Sequence, residues 1–142
     1  MKFNGRMLGL DLGRKRVGVA LSDETAAIAS PLTTLRISGP KDFLVQVREL
    51  ISAHEVSAVV VGQPSRLDGT DTDFSAKARS LRDYLAANLA VPVHSYDERF
   101  TSKMAQAAIH DTGKNLKRSK DDLDKVAAAI MLNDFLKRHG ND

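Results

Sequence analysis

The chain reads as an α/β domain: one mixed five-stranded sheet with helices on both faces, in the order β-β-β-α-β-α-β-α-α. Three observations predict it. Two runs near the N-terminus, "RMLGLDL" and "RVGVAL", alternate apolar with small or polar residues across a short basic turn, as a hairpin does. "VSAVVVG" is apolar throughout, the pattern of a strand covered on both faces. Segments with apolar residues at helical spacing separate and follow the later strands, so strand-helix-strand units extend the sheet in parallel. In such a sheet the first strand lies centrally, and ligands collect beyond the carboxyl ends of the parallel strands.

In the first strand Leu8, Leu10 and Leu12 alternate with Gly9 and Asp11; in the second, Val17, Val19 and Leu21 alternate with Gly18 and Ala20. The turn falls near Gly13. "AIASPLTTL" supplies a third strand, which Pro31 marks as an edge or a bulge. From Lys41, the residues Phe43, Val47, Leu50 and His54 define an amphipathic helix that Leu44 and Ile51 widen. The buried strand ends at Gly62, and the loop "QPSRLDGTDT" follows. Phe74, Ala78, Leu81, Leu85 and Leu89 mark a second helix, and "VPVHSY" a last strand. "TSKMAQAAIHDTG" predicts a third helix, with Thr101 as N-cap and Gly113 as terminator. The basic stretch "TGKNLKRSKDD" reads as a loop before a final helix over Leu123 to Leu136, with Asp121 and Asp122 preceding that helix as capping residues.

A chain of 142 residues, 42% of them hydrophobic, supports one domain over residues 1–142. No run approaches a membrane span and "MKFNGRMLG" lacks the features of a secretory signal, so a cytoplasmic protein without a membrane partner is expected. The absence of cysteine excludes disulfides, thiolate nucleophiles and thiolate zinc sites. His54, His94, His110 and His139 show no ligand spacing. Metal chemistry would then fall to oxygen ligands, which favour Mg²⁺ or Mn²⁺. The net charge of +3 is mild, but the cations cluster at Arg14–Arg16 and again at Lys114, Lys117, Arg118 and Lys120. Taken singly, either cluster is ordinary solvated charge.

Three acids stand out because the topology brings them to one edge of the sheet. Asp11 shares its strand face with glycine and alanine, which leaves space for a phosphate or hydrated cation; an Asp that merely closes the turn is the competing reading. Glu98 follows the last strand, two strands from Asp11 and roughly 10 Å away at the backbone. Alone, Asp97 and Glu98 would be an acidic pair favouring a helix N-terminus. Asp124 lies on the stripe of Ala128, Met131 and Phe135, so it faces the protein and needs a partner. Such a cluster suits divalent cations, which can activate water and stabilise the leaving oxygen of a phosphodiester.

"GLDLGRKRVGVALSD", "VVVGQPSRLDGTD", "VPVHSYDERFTSKMA" and "DDLDKVAAAIML" together resemble the YqgF family, also called RuvX-like, of the ribonuclease H-like superfamily. The resemblance spans nearly the whole chain, with the four motifs in order. It implies a ribonuclease H-like fold, a cytoplasmic metal-dependent endonuclease, and catalytic, metal-holding acids at Asp11, Glu98 and Asp124. It also implies processing of the 5′ end of precursor 16S rRNA in ribosome biogenesis. Arg14, Arg16, Arg66, Arg99, Lys114, Lys117 and Lys120 then become candidate substrate contacts. Related sequences often read Gly-Leu-Pro with Asn two residues later, where this chain has Gly62, Gln63, Pro64 and Arg66.

Three alternatives stand beside this reading. The same chemistry on a four-way DNA junction, as a Holliday junction resolvase, would require a homodimer to cut two strands together. A noncatalytic RNA-binding module for ribosome assembly would retain the fold without turnover. "LGLDLGRKRVGVAL" also resembles the phosphate-binding hairpin of actin-like and sugar-kinase ATPases, which need two such domains where this chain has room for one.

Overall fold

In the computed structural model, which describes residues 4–63, 73–97 and 120–139, five strands form one sheet in the order β3-β2-β1-β4-β5. The elements are β1 (Arg6–Leu12), β2 (Arg16–Ser22), β3 (Ala29–Arg36), α1 (Pro40–His54), β4 (Val56–Gln63), α2 (Asp73–Asn88), β5 (Val93–Asp97) and α3 (Lys120–His139). β1–β2 and β2–β3 pair antiparallel, whereas β1–β4 and β4–β5 pair parallel. β1 is central, as the sequence pattern predicts. Both readings of Pro31 apply: β3 is an edge strand, and the register shifts where Pro31 meets Ala20. The helix expected over residues 101–113 lies outside the described residues.

Strand alternation sorts the core into two layers. On one face Leu8, Leu10, Val17, Val19, Val59 and Val61 pack against Phe43 and Val47 of α1 and Ala78 and Leu85 of α2. On the other, Met7, Ala20, Ala58, Val60 and Tyr96 pack against Ala128, Met131, Leu132 and Phe135 of α3. β4 is covered on both sides, which accounts for the unbroken apolar run Val59–Val61. Pro40 starts α1, where its missing N–H is no loss, and Glu55 ends it in a left-handed conformation whose N–H donates to the Ile51 carbonyl.

α3 begins at Lys120, three residues before the predicted start, and this corrects the reading of Asp121 and Asp122 as caps preceding it. Both sit in its first turn. The polar Lys120–Asp122 segment carries no apolar periodicity, yet tertiary contacts hold it helical. Thr34 Oγ1 donates to the Asp121 carbonyl at 2.5 Å, and Arg36 pairs with the Asp121 carboxylate at 3.1 Å. Farther along, the Asn133 amide accepts from Ala29 N–H at 2.8 Å and donates to the Ala29 carbonyl at 2.9 Å. The Tyr96 hydroxyl donates to Asp134, which Arg138 also contacts.

The small residues of β1 and β2 let this helix approach. A Cβ on Gly9 would stand 3.0 Å from Leu132 Cβ, and one on Gly18 would lie 2.0 Å from the Asp124 carbonyl oxygen. The expectation that this bare face leaves space for a phosphate or cation is thereby corrected at Gly9 and Gly18, where backbone and side chain of α3 occupy it. Between β2 and β3, the Asp23 carboxylate accepts from the Thr25 side chain and from the Ala27 and Ile28 N–H groups at 2.8 and 2.9 Å. Those bonds, Ile28 first, hold its carboxyl well below the usual range.

Gly18→Ala should destabilise the fold by about 1–3 kcal/mol, because backbone rather than a flexible side chain must give way; urea unfolding reads it. Asp23 has a depressed folded-state pKa, so its stabilisation is complete above about pH 4–5 and fades as the pH falls through and below the ordinary carboxylate range. Asp23→Asn should therefore melt below the parent at pH 6, with the gap narrowing toward pH 2.

Candidate active site

The site is built where β1 and β4 end side by side. Asp11 stands opposite Gly18 of β2 and Gly62 of β4, and Gly62 in turn faces Tyr96 of β5. Alternation from Met7 and Gly9 puts Asp11 on the α3 face of the sheet, half-buried. Gly18 is also the residue against which the Asp124 carbonyl rests. Two acidic residues 113 positions apart in sequence (11 and 124) are thus brought to the same glycine, one on a central strand and one in the first turn of the helix that crosses it.

Asp124 has the partner its inward stripe calls for. Arg16, the first residue of β2, donates its Nε–H to Asp124 Oδ2 at 2.5 Å, and the same nitrogen lies 3.5 Å from Asp121 Oδ1. The bond to Asp124 is the main reason the Arg16 pKa is raised. Sequence reasoning placed Arg16 among the phosphate contacts; the structure pairs it with an acid of the site. The separation of 108 residues hid that pairing.

The turn between β1 and β2 carries two further cations, Arg14 and Lys15. Gly13 N–H donates to the Arg16 carbonyl at 2.8 Å, and a Cβ on Gly13 would sit 2.7 Å from that oxygen, so glycine closes the turn tightly. Arg14 and Lys15 project from it, exposed. The Arg14 guanidinium lies over the Phe74 ring at 4.9 Å, a contact to the start of α2 that the sequence did not signal. Gly13, Arg14, Lys15, Arg16 and Asp124 line an open cavity of about 310 Å³. A second, apolar recess of about 150 Å³ on the other side of the turn is walled by Leu12, Ile37, Pro40, Phe74 and Ala78.

Of the other predicted site residues, Glu98, Arg66, Arg99, Lys114 and Lys117 lie outside the described residues, as does the side chain of Lys120. Asp97, the last residue of β5, is opposite Gln63. Among the described residues no three His, Asp or Glu side chains form a metal-holding group. Asp11 and Asp124, which both adjoin Gly18, carry hard oxygen donors, and Arg16 is the counter-charge of Asp124; oxygen donors of this kind suit a divalent cation such as Mg²⁺ or Mn²⁺ and not thiophilic metals. No helix among the described residues is long and apolar enough to cross a membrane.

Comparison with known proteins adds to this geometry. The family model described as "RuvX: Holliday junction resolvase" matches residues 5–138. A protein of Koribacter versatilis named "Putative pre-16S rRNA nuclease" is 37% identical over 139 residues, covering 98% of this chain and 91% of the relative. A protein of the same name from Chloroflexus aggregans is 39% identical over 135 residues, covering 95% of each. Among solved structures, Thermus thermophilus RuvC in complex with a Holliday junction substrate superposes with a TM-score of 0.58 at 19% identity, over 95% of this chain and 96% of that one. The yeast mitochondrial resolvase Ydc2 gives a TM-score of 0.56 at 11% identity, over 98% of this chain and 83% of that one. At those identities the structural likeness establishes the fold.

Arg14→Ala removes an exposed cation–π contact and should cost less than about 1 kcal/mol of stability in urea unfolding.

Proposed function

Starting from a chain that belongs to the RuvX family, a family of nucleases and resolvases with the ribonuclease H-like fold, we propose a divalent-metal-dependent endonuclease that cuts structured nucleic acid. The observation that supports the proposal is that Asp11, at the carboxyl end of central β1, and the backbone of Asp124 both lie against Gly18, next to a turn that presents Arg14 and Lys15. Precursor 16S rRNA is the proposed substrate, which the names of the relatives support, and cleavage toward its 5′ end in the cytoplasm is proposed with it. The family description favours a second reading in which two copies act on a four-way DNA junction.

In this reading Asp11 and Asp124 hold the cation, and Glu98, the residue directly after β5, is the third acid proposed to hold it. A cation so held supplies activation of the attacking water and stabilisation of the leaving oxygen, giving a product with a 5′-phosphate. The chain's own part is positional. The sheet and the close-packed start of α3 fix the backbones that carry the two acids, and Arg14 and Lys15 draw the phosphate backbone over the turn. Arg16, Arg66, Arg99, Lys114, Lys117 and Lys120 are proposed as further substrate contacts. Arg99 is the foremost of the residues outside the described segments, because it adjoins Glu98 in sequence.

Precursor 16S rRNA and a synthetic four-way junction, each incubated with the protein in Mg²⁺, Mn²⁺ or EDTA at matched salt, test the proposal. Cleavage of the rRNA that needs the cation supports the first reading, paired symmetric cuts in the junction the second, and cleavage of neither overturns both. Asp11→Asn should abolish cutting while binding is kept or slightly tightened, since one repulsive charge is gone. Arg14→Ala should weaken binding to all sequences alike and lower the salt slope by about one.

A further inference from the structure

Arg16 occupies the acid that the proposed cation requires. Its Nε reaches Asp124 Oδ2 at 2.5 Å, and both side chains are largely shielded, with 23% and 31% of their surface exposed. A guanidinium N–H and a small hard cation compete for the lone pairs of one carboxylate oxygen, and two positive groups crowded at one acid repel each other. Departure of Arg16 would not strand Asp121, because Arg36 holds Asp121 independently at 3.1 Å. The Arg16 backbone is fixed at the start of β2 by its carbonyl bond from Gly13 N–H, so only the side chain has to move. There is room for that movement. The cavity of about 310 Å³ between Asp124 and the turn is lined by Arg16 itself together with Arg14 and Lys15.

We propose that Arg16 is the resident counter-ion of Asp124 and that a divalent cation loading at Asp11 and Asp124 displaces it, releasing the guanidinium into the cavity beside Arg14 and Lys15. The inference rests on the reading of Asp11 and Asp124 as the cation-holding pair. It makes Arg16 a positioning residue with two stations. With the cation absent, it neutralises an acid that would otherwise be left uncompensated against the sheet. With the cation present, it adds a third positive side chain to the surface over which a phosphate backbone would pass. Cation loading and phosphate binding then favour each other reciprocally.

Side-chain ¹H–¹⁵N spectra of the full-length protein test the exchange without any turnover. The Arg16 Nε–H signal is assigned by its loss in Arg16→Gln, and Mg²⁺ is titrated while the backbone amides of Asp11 and Asp124 report its arrival. The expected result is that the Arg16 signal loses its hydrogen-bonded shift and its protection from solvent exchange with the same midpoint as those amides, and does neither in Asp11→Asn. Calorimetry with Mn²⁺ should show Arg16→Gln binding the ion roughly two- to tenfold more tightly than the parent, since a competing charge is gone. Arg16→Lys, which keeps the charge and the strand, should fall between and serves if the glutamine variant folds poorly. Amides that respond to Mg²⁺ beside an Arg16 signal that does not would overturn the exchange and leave the cation site standing. Weaker Mn²⁺ binding by Arg16→Gln would do the same, showing that Arg16 only braces Asp124. Amides that ignore Mg²⁺ altogether would overturn the cation site and the exchange with it.

Discussion

Everything distinctive about the site depends on how closely α3 lies against the middle of the sheet. A helix packed on side chains of ordinary size would ride well clear of the strand backbones; here Leu132 meets Gly9 and the Asp124 carbonyl meets Gly18. The approach brings the first turn of α3 down to the level of β1 and β2, so that Asp124 arrives beside the position opposite Asp11. It also puts Asp124 within reach of Arg16 at the start of β2. The glycines therefore act at one remove: they set the height of a helix, and the height sets where a carboxylate stands.

That helix is tied down along its length to strands that are not neighbours in sequence. Asp121 and Asn133 bind it to β3, Asp124 to β2, and Asp134 through the Tyr96 hydroxyl to β5. The polar contacts lie at the margins of an apolar seam made by Ala128, Met131, Leu132 and Phe135, so burial supplies the adhesion and the polar pairs supply the register. A helix that could slide by one residue would turn Asp124 through about 100° and carry it off the site.

Much of this architecture was legible in the residues. Leu8, Leu10 and Leu12 against Gly9 and Asp11 announce a strand with one bulky and one bare face, and both faces proved to be in use. Pro31 correctly marked an edge, and the stripe shared by Asp124, Ala128 and Met131 correctly turned that acid inward. What fills the bare face was not legible, because a missing side chain is visible in a sequence whereas its occupant, here a helix 106 positions further on (18 to 124), is not. The start of α3 escaped for a related reason: Asp121, in its first turn, is held by Thr34 and Arg36 of an edge strand, a contact that no periodicity announces. Glu98, read from its place after the last strand, lies outside the described residues.

The proline in β3 bears on how copies of this protein can meet. An exposed outer strand is normally a template on which a second sheet can continue, but Pro31 contributes no N–H and the register breaks where it pairs with Ala20. Continuation of the sheet across that border is disfavoured, which guards the chain against ribbon-like aggregation on this side. Of the two outer strands of the described sheet, β3 is therefore the poorer one through which to join a second copy.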